Sequence, residues 1–173
     1  MKESCQIALK EWAVALEALK EGHPCLFLRK GGIAEPEGDF QLQHKAFFLY
    51  PTYEHQTRVS IREEFQSLFD KTISQQHEKE DVVFSLYAEV VGVWTVQALS
   101  DLDGVEAHHI WTPEFLAKRL AYKPELTTAV VLVKGYQLPK PAIVPYQPLY
   151  GGCRSWVPLG TELSTAGASP VIP

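Results

Sequence analysis

The segment 82–98, VVFSLYAEVVGVWTVQA, constrains the fold of this chain more than any other part of it. It is rich in β-branched and aromatic residues, which are enriched in β-strands. A typical strand has about 5–6 residues, so the segment is too long for one ordinary strand, and Gly92 interrupts it. We therefore predict either one long strand that bends at Gly92 or two strands in succession.

The rest of the chain predicts further strands and three helices. Short apolar or alternating runs predict strands at 24–29, 40–44, 46–50, 127–138 and 154–159. Apolar residues at three- and four-residue steps predict helices at 4–20, about 60–75 and 113–120. The elements are mixed without a regular β-α-β order. This indicates an α+β fold with a mostly antiparallel bent sheet flanked by three helices.

Length and composition indicate a globular protein. The chain has 173 residues, of which 46% are hydrophobic and 21% are charged, and this suits one domain with a substantial core. We predict a single domain over 1–159 and a flexible tail over 160–173. No run of about 18 apolar residues is present, so we expect no transmembrane helix and no membrane contact. Glu3 and Glu11 make the N-terminal segment unlike a signal peptide, so we expect a cytoplasmic location.

Charge and cysteine content argue against several classes of function. The net charge of −5 opposes tight, non-specific DNA binding, because a general phosphate-binding surface is normally basic. The three cysteines are widely spaced and form no CxxC, which argues against a disulfide framework and a structural zinc site. Adjacent residues on a strand point to opposite faces, so His108 and His109 cannot easily bind one ion. We expect neither a metal nor a cofactor.

A cationic segment with two glycines, RKGG, begins at the end of the strand predicted at 24–29. Arg29 and Lys30 could bind an anion, while Gly31 and Gly32 would let the backbone approach a ligand closely. The pattern GxxxxGK[ST] is absent, so the segment is not a P-loop. The alternative is a strand end with solvated charges and an ordinary glycine turn.

A denser group of polar and aromatic residues lies in the segment YPTYEHQ. Tyr50 and Tyr53 offer ring faces for stacking and hydroxyl groups for hydrogen bonds. Thr52, His55 and Gln56 could recognise the polar edge of a planar ligand, and His55 could also transfer a proton. The alternative is a turn in which the tyrosines pack internally. We favour the pocket, because so many such residues lie close together in a segment at the end of a strand.

Two residues elsewhere in the chain could complete this pocket. Arg154 could bind a phosphate or a carboxylate or stack on a base, and Trp111 could also stack on a base. We predict that RKGG and YPTYEHQ form two walls of one pocket, with the segments around Trp111 and Arg154 as further walls. The acid-x-Lys triad of metal-dependent nucleases is absent, which favours binding over catalysis.

Five motifs in the chain are long and specific: ALKEWAVALEAL, LFLRKGGI, LYPTYEHQ, HIWTPEF and YGGCRSWV. Through them, over about 8–56 and 108–157, the chain resembles a family of uncharacterised bacterial proteins. That family is common in cyanobacteria, is classed as a domain of unknown function and carries no established activity. Its members occur beside Mrr-type restriction endonuclease domains. The resemblance therefore implies a restriction-system protein as a partner.

The order of the elements is similar to that of PUA-like domains, including the ASCH and EVE groups. The similarity rests on AEVVGVWTVQ, the helix predicted at 113–120 and the strand that ends in LPKPAI. It implies a bent PUA-like β-barrel with helices over its openings and a cleft that binds RNA or modified bases. The ASCH signature GxKxxExR is absent, which opposes an ASCH-type hydrolase activity.

Three functions follow from these observations. The first is a non-enzymatic recognition domain that binds a nucleotide or a nucleic-acid base, plain or modified. The second is a small hydrolase or nuclease that uses His55 with Glu54 or Lys30. The third is an interaction partner of a restriction system, which predicts that the polar residues of YPTYEHQ form internal hydrogen bonds and leave no cavity. The sequence leaves the oligomeric state open.

Overall fold

A computed structural model describes residues 2–23, 26–30, 40–75 and 81–171. Within these ranges a seven-stranded sheet is accompanied by three α-helices, which confirms the predicted α+β class. The strands are β1 (Ser4–Trp12), β2 (Leu26–Lys30), β3 (Ala46–Thr52), β4 (Val82–Val96), β5 (Thr128–Val144), β6 (Trp156–Ser164) and β7 (Ser169–Pro170). The helices are α1 (Ala13–Lys20), α2 (Gln66–Ser74) and α3 (Pro113–Ala121).

The strands form an open, mixed sheet. Their order is β2-β5-β4-β3-β1-β6, and β7 pairs with β5 outside this path. β1 and β3 run parallel, whereas the other neighbouring strands run antiparallel. Four strands separate β2 from β6, and the sheet does not close within the described residues. The predicted bent sheet is therefore confirmed, and the closed β-barrel is wrong.

The long segment that dominates the sequence is one continuous strand, β4. Its pairing with β5 shifts register between Val90 and Gly92, so a bulge lies where the bend was predicted. Val91, inside this bulge, is exposed. Of the two predicted forms, the single bent strand is the one observed.

A second irregularity places prolines within β5. Leu86 pairs with Gln137 and Phe84 pairs with Ala142, so 138–141 lies opposite a single residue of β4. This segment is LPKP, and its prolines lie where the ladder is already interrupted. The proline-rich stretch is therefore accommodated inside a long strand as a bulge.

The segment 4–20 is half strand and half helix. β1 extends to Trp12, and α1 begins at Ala13, so the predicted helix is wrong for its first half. Ala8 and Leu9 are adjacent, yet both are fully buried, because β1 lies between β3 and β6 with a hydrophobic cluster on each face. A strand buried on both faces lacks the alternation of apolar and polar residues. As a result, the apolar residues of β1 recur at three- and four-residue steps, which are also typical of a helix.

The other two helices follow their predictions to different degrees. α2 is shorter than predicted, because Ser60 Oγ hydrogen-bonds to Thr57 Oγ1 (2.7 Å) and caps no α-helix. α3 begins as predicted, with Pro113 in its first turn and Thr112 Oγ1 accepting a hydrogen bond from Phe115 N (3.3 Å). None of the described helices has the length and apolar character that crossing a bilayer requires.

Each face of the sheet carries its own hydrophobic cluster. On β3, Phe47 and Leu49 belong to the cluster that includes α1, whereas Phe48 and Tyr50 belong to the cluster on the opposite face. This follows from the two-residue period of a strand. The alternation places the Tyr50 side chain on the face that α1 does not cover.

The segment after Leu159, for which the sequence predicts a flexible tail, contains the end of β6 and all of β7. Thr165 is fully buried, and its N–H donates to Glu3 O (3.0 Å). Val171 N donates to Gly135 O (2.9 Å). The described part of the tail therefore contacts both β5 and the residues before β1.

Candidate functional site

A cleft of about 640 Å³ lies where β1 continues into α1 and where β3 ends. The start of β4, the proline bulge of β5 and the glycine turn before β6 complete its walls. The lining includes Lys10, Ala13, Leu16, Glu17, Tyr50, Thr52, Tyr53, Glu54, Asp81, Pro141, Tyr146, Tyr150, Gly151 and Gly152. The cleft therefore combines aromatic rings with charges of both signs.

Tyrosines provide most of its aromatic surface. Tyr50, Tyr53 and Tyr146 line the cleft, and none of their hydroxyl groups hydrogen-bonds to a residue that the structure describes. Tyr150 differs, because its hydroxyl donates to Leu159 O (2.7 Å). As far as the described residues go, the other three hydroxyl groups have no partner and are available to a ligand.

Tyr50 combines a buried ring with an available hydroxyl group. The residue is 8% exposed, and its ring centroid lies 6.1 Å from that of Tyr150. Burial, with smaller effects from Tyr146, Tyr150 and Glu54, raises the pKa of Tyr50 to about 12. At neutral pH this hydroxyl is therefore protonated and can donate a hydrogen bond.

Lys10 extends into the cleft from β1. Its Nζ donates to Gly152 O (2.9 Å) and lies 5.6 Å from the Tyr50 ring centroid, within cation–π range. Burial lowers the pKa of Lys10, and the charge of Arg154 adds to this effect while that of Glu54 opposes it. No carboxylate of a described residue lies within 4.0 Å of this ammonium group.

Glu17 carries a buried negative charge on the α1 side of the cleft. Its carboxylate lies 2.5 Å from Lys20 Nζ and 2.7 Å from Lys71 Nζ. Burial alone would raise the pKa of Glu17, but the hydrogen bonds from Lys20 and Lys71 outweigh it and lower the pKa. The buried carboxylate is thus neutralised by two lysines that are themselves partly exposed.

Three of the predicted site residues, Tyr50, Thr52 and Tyr53, line the cleft together. The Thr52 hydroxyl donates to Glu11 O (3.1 Å), so its proton is already used within the protein. Arg154 does not itself line the cleft; it is exposed two residues after the lining residue Gly152, and its backbone N–H donates to Gly152 O (3.0 Å). The structure thus places part of YPTYEHQ in the cleft, together with the glycines that precede Arg154 but not Arg154 itself.

Arg29 and Lys30 do not line this cleft. Arg29 Nη1 forms an ion pair with Glu11 Oε2 (3.3 Å), and both side chains are largely buried. Lys30 Nζ donates to Leu120 O (2.7 Å), a carbonyl at the C-terminal end of α3. The described part of RKGG is therefore held by internal contacts rather than forming a wall of the cleft.

His55 and Gln56 also lie outside the lining, for different reasons. His55 is exposed and has a positive φ of 66°, which places it at the tip of the turn after β3. Gln56 is buried, where Nε2 donates to Thr72 Oγ1 (3.1 Å) and Oε1 accepts a hydrogen bond from Val14 N (3.4 Å). Gln56 therefore fastens this turn to α1 and α2 and has no direct access to a ligand.

Trp111 is part of the core rather than of a ligand-binding wall. It is 3% exposed, and its ring packs against Trp12 and Phe115 at centroid distances of 5.1 and 5.0 Å. Burial of both ring faces prevents a base from stacking there. Gly31 and Gly32, which the sequence also places in the site, lie outside the described residues.

The adjacent histidines lie in different environments. His109 is buried, and its Nδ1 accepts a hydrogen bond from Trp111 N (3.3 Å), whereas His108 is exposed. Among residues 2–23, 26–30, 40–75 and 81–171, no group of three His, Cys, Asp or Glu side chains is arranged to hold a metal ion. The cleft is lined by hydrogen-bonding groups, aromatic rings and charges of both signs.

Comparison with known protein families identifies the family to which the chain belongs. A family model described as "Domain of unknown function (DUF1802)" matches residues 8–173. The chain belongs to this DUF1802 family. Searches of curated proteins and of solved structures found no match. Membership confirms the resemblance to an uncharacterised family and assigns no activity to the cleft.

The cleft of this DUF1802 protein contains residues that the sequence did not single out. Lys10 is one, because a helix over 4–20 would place it on a polar face, whereas on β1 it reaches the cleft. Tyr146 is another, and a signal for it exists in the segment PYQPLYGG. That segment combines tyrosines, prolines and glycines, as YPTYEHQ combines tyrosines with a proline.

Proposed function

We propose that this DUF1802 protein is a recognition domain that binds a nucleotide or a nucleic-acid base, plain or modified, in the tyrosine-lined cleft. The observation that carries the proposal is the group of Tyr50, Tyr53 and Tyr146, whose hydroxyl groups have no described partner. Binding sites for small molecules typically have volumes of roughly 300–1,000 Å³ and combine aromatic walls with a few polar groups. The cleft, at about 640 Å³, has both properties.

The geometry supports distinct roles for the lining residues. Tyr53 is half-buried and offers a ring on which a base can stack. The protonated Tyr50 hydroxyl can donate to a ring nitrogen or a carbonyl oxygen. Glu54 can accept a hydrogen bond from an exocyclic amino group. Together these groups are complementary to the face and the edge of a nucleobase.

The charge distribution favours a small ligand over a duplex. Strong duplex binding requires many cationic contacts to phosphates. The chain carries a net charge of −5, and the charged lining residues include both lysines and carboxylates. A single nucleotide, or one base extruded from a strand, fits this balance better.

Two other hypotheses receive less support. For a hydrolase that uses His55 with Glu54 or Lys30, His55 lies outside the cleft lining, and the Lys30 ammonium group donates to Leu120 O at the end of α3. An interaction partner without a pocket agrees with the internal hydrogen bonds of Thr52 and Gln56, but not with the cleft beside them. A cytoplasmic role beside a restriction system, as the Mrr association implies, is compatible with the proposed recognition of bases.

Calorimetric titration tests the proposal. The ligands are the four ribonucleoside 5′-monophosphates, their nucleosides and short single-stranded oligonucleotides with plain or methylated bases. Tyr53→Ala should weaken binding by about 1–3 kcal/mol, or about 5- to 150-fold in Kd, because it removes a stacking surface.

Tyr122→Ala is the matched control, because Tyr122 is exposed and lies outside the cleft lining. It should bind as tightly as the wild type. If the folded wild-type protein binds none of these ligands at tens of micromolar, the proposed function is wrong.

A further inference from the structure

The Lys10 ammonium group and the backbone of Arg154 contact the same backbone carbonyl at the edge of the cleft. Gly152 O accepts hydrogen bonds from Lys10 Nζ (2.9 Å) and from the backbone N–H of Arg154 (3.0 Å). Lys10 belongs to β1 and Arg154 to the turn before β6, so the sheet order brings them together from opposite ends of the sequence. The Arg154 charge is near enough to lower the pKa of Lys10, so two positive charges lie near this edge of an otherwise acidic protein.

These two cations differ from the other cations near the cleft. Lys20 and Lys71 are both paired with Glu17. Lys10 and Arg154 form no ion pair with any residue in the described part of the chain. Cations that lack an internal counter-charge are suited to binding an anion from solution.

The glycine turn beside them leaves space and backbone donors. A Cβ on Gly152, which has a φ of +79°, would meet nothing within 4 Å, so the space beside this residue is open. Gly151 is confined instead, because a Cβ there would lie 3.1 Å from Tyr146 Oη. The N–H groups of Gly152 and Cys153 donate to no described residue. Free amide donors next to a cation are a common way to hold phosphate oxygens.

The balance of charges around Lys10 also favours an anion. Burial lowers the pKa of Lys10 because it removes the ammonium group from water, and the positive charge of Arg154 lowers it further by repulsion. Glu54 acts in the opposite direction but is not within ion-pair distance. A bound anion would relieve the repulsion between the two cations.

We propose that Lys10, Arg154 and the backbone N–H groups of Gly152 and Cys153 bind the phosphate group of the ligand. The cleft then selects nucleotides over nucleosides, with the base at the tyrosines and the phosphate at the turn. This inference rests on the proposed function, because it specifies which group occupies the second half of the same cleft.

The titrations separate the two proposals if each nucleoside is compared with its 5′-monophosphate. We expect the monophosphate to bind at least roughly tenfold more tightly, and this difference to shrink as the salt concentration rises. Equal affinities would overturn the phosphate subsite and leave the proposed function intact. Absence of binding by both ligands would overturn both proposals.

Variants identify the groups responsible. Lys10→Met and Arg154→Gln should each bring the affinity for the monophosphate toward that for the nucleoside, while nucleoside binding changes little. Arg154 is exposed, so its variant should fold even if Lys10→Met does not. Lys134→Met is the matched control, because Lys134 Nζ also lies 5.6 Å from a tyrosine ring centroid, that of Tyr136, but outside the cleft lining. A loss of preference in the control, or none in Arg154→Gln, contradicts the inference.

Discussion

Glu17 and Lys10 are charged residues of the same cleft with different surroundings. Glu17 is buried between Lys20 and Lys71, so its charge is neutralised within the protein. Lys10 has no such partner among the described residues. A charge that is already paired within the protein, such as that of Glu17, has a structural role. A charge without a partner among the described residues, such as that of Lys10, is available to a ligand.

The role of Glu17 predicts how stability depends on pH. Burial raises the pKa of Glu17, but the hydrogen bonds from Lys20 and Lys71 outweigh burial, so the folded-state pKa lies below the usual 4.5. The carboxylate therefore stabilises the fold above about pH 4.5, and this contribution is lost as the pH falls through the folded-state pKa. Glu17→Gln should cost about 1–2 kcal/mol at pH 7, and this cost should shrink as the pH falls below 4.5.

Urea unfolding of both proteins at pH 7, 5 and 3 measures this difference. Glu21→Gln is the matched control, because Glu21 is exposed and lies 4.0 Å from Lys71 Nζ. Its effect should stay within about 0.5 kcal/mol at every pH. A cost for Glu17→Gln that is the same at pH 7 and pH 3 would show that the carboxylate charge is not responsible.

Residues of the site could be predicted from the sequence where several of them lie close together in one short segment. Tyr50 and Tyr53 come from one short turn, and their clustering signalled a pocket. Gln56 comes from the same turn but points into the protein, and no local pattern distinguishes the two directions. Lys10 was missed because its role depends on the element that carries it, and Tyr146 because the fold brings it to the cleft from a distant segment.

At the scale of elements, the contact between α1 and β5 shows how closely the helix packs on the sheet. Gly135 of β5 lies under Leu19 of α1, and a Cβ at Gly135 would lie 3.0–3.2 Å from three Leu19 side-chain atoms. Leu19 is itself 4% exposed, so it has little room to move. The absence of a side chain at Gly135 therefore determines how closely α1 approaches the sheet.

Gly135→Ala should therefore destabilise the protein by about 1–3 kcal/mol through overpacking. For a chain of this size, each kcal/mol lowers Tm by about 2–4 °C, which calorimetry can detect. Gly92→Ala is a suitable control, because a Cβ there meets only the Trp94 ring, at 3.9 Å. Equal Tm values for the two variants would show that the helix can shift to accept a larger residue.

The boundaries of the helices and strands show which sequence patterns predicted the structure correctly. The cap and proline at the start of α3 act locally, so they predicted its first residue. The bend in β4 was likewise readable, because a glycine interrupts a β-rich run. β1 was mistaken for helix because its burial on both faces comes from β3 and β6, which are remote in sequence. Local chemistry therefore predicted those features that do not depend on distant neighbours.

At the scale of the whole molecule, the C-terminal segment joins two separate parts of the sheet. Thr165 bonds to the backbone before β1, while β7 and Val171 bond to β5. Composition alone predicted a flexible tail, because small residues and prolines are common in unstructured segments. The contacts made by the described part of this segment lead us to expect a contribution to stability.

Deletion of residues 165–173 should cost about 2–4 kcal/mol, because it removes several backbone hydrogen bonds and a buried side chain. Chemical unfolding of the full chain and of the truncated chain measures the loss. Deletion of residues 172–173 alone serves as the control and should change little. If the longer deletion is also neutral, the flexible-tail prediction holds.

The position of β1 also affects how the protein can form during synthesis. Ser4 pairs with Ser164, so the first strand has one of its two neighbours near the other end of the described chain. At a synthesis rate of about 5–20 residues per second, β1 must wait roughly 10–30 s before β6 exists. During that interval one edge of β1, with its apolar residues, lacks a native partner, so we expect slower synthesis to increase aggregation and a chaperone that covers this edge to reduce it.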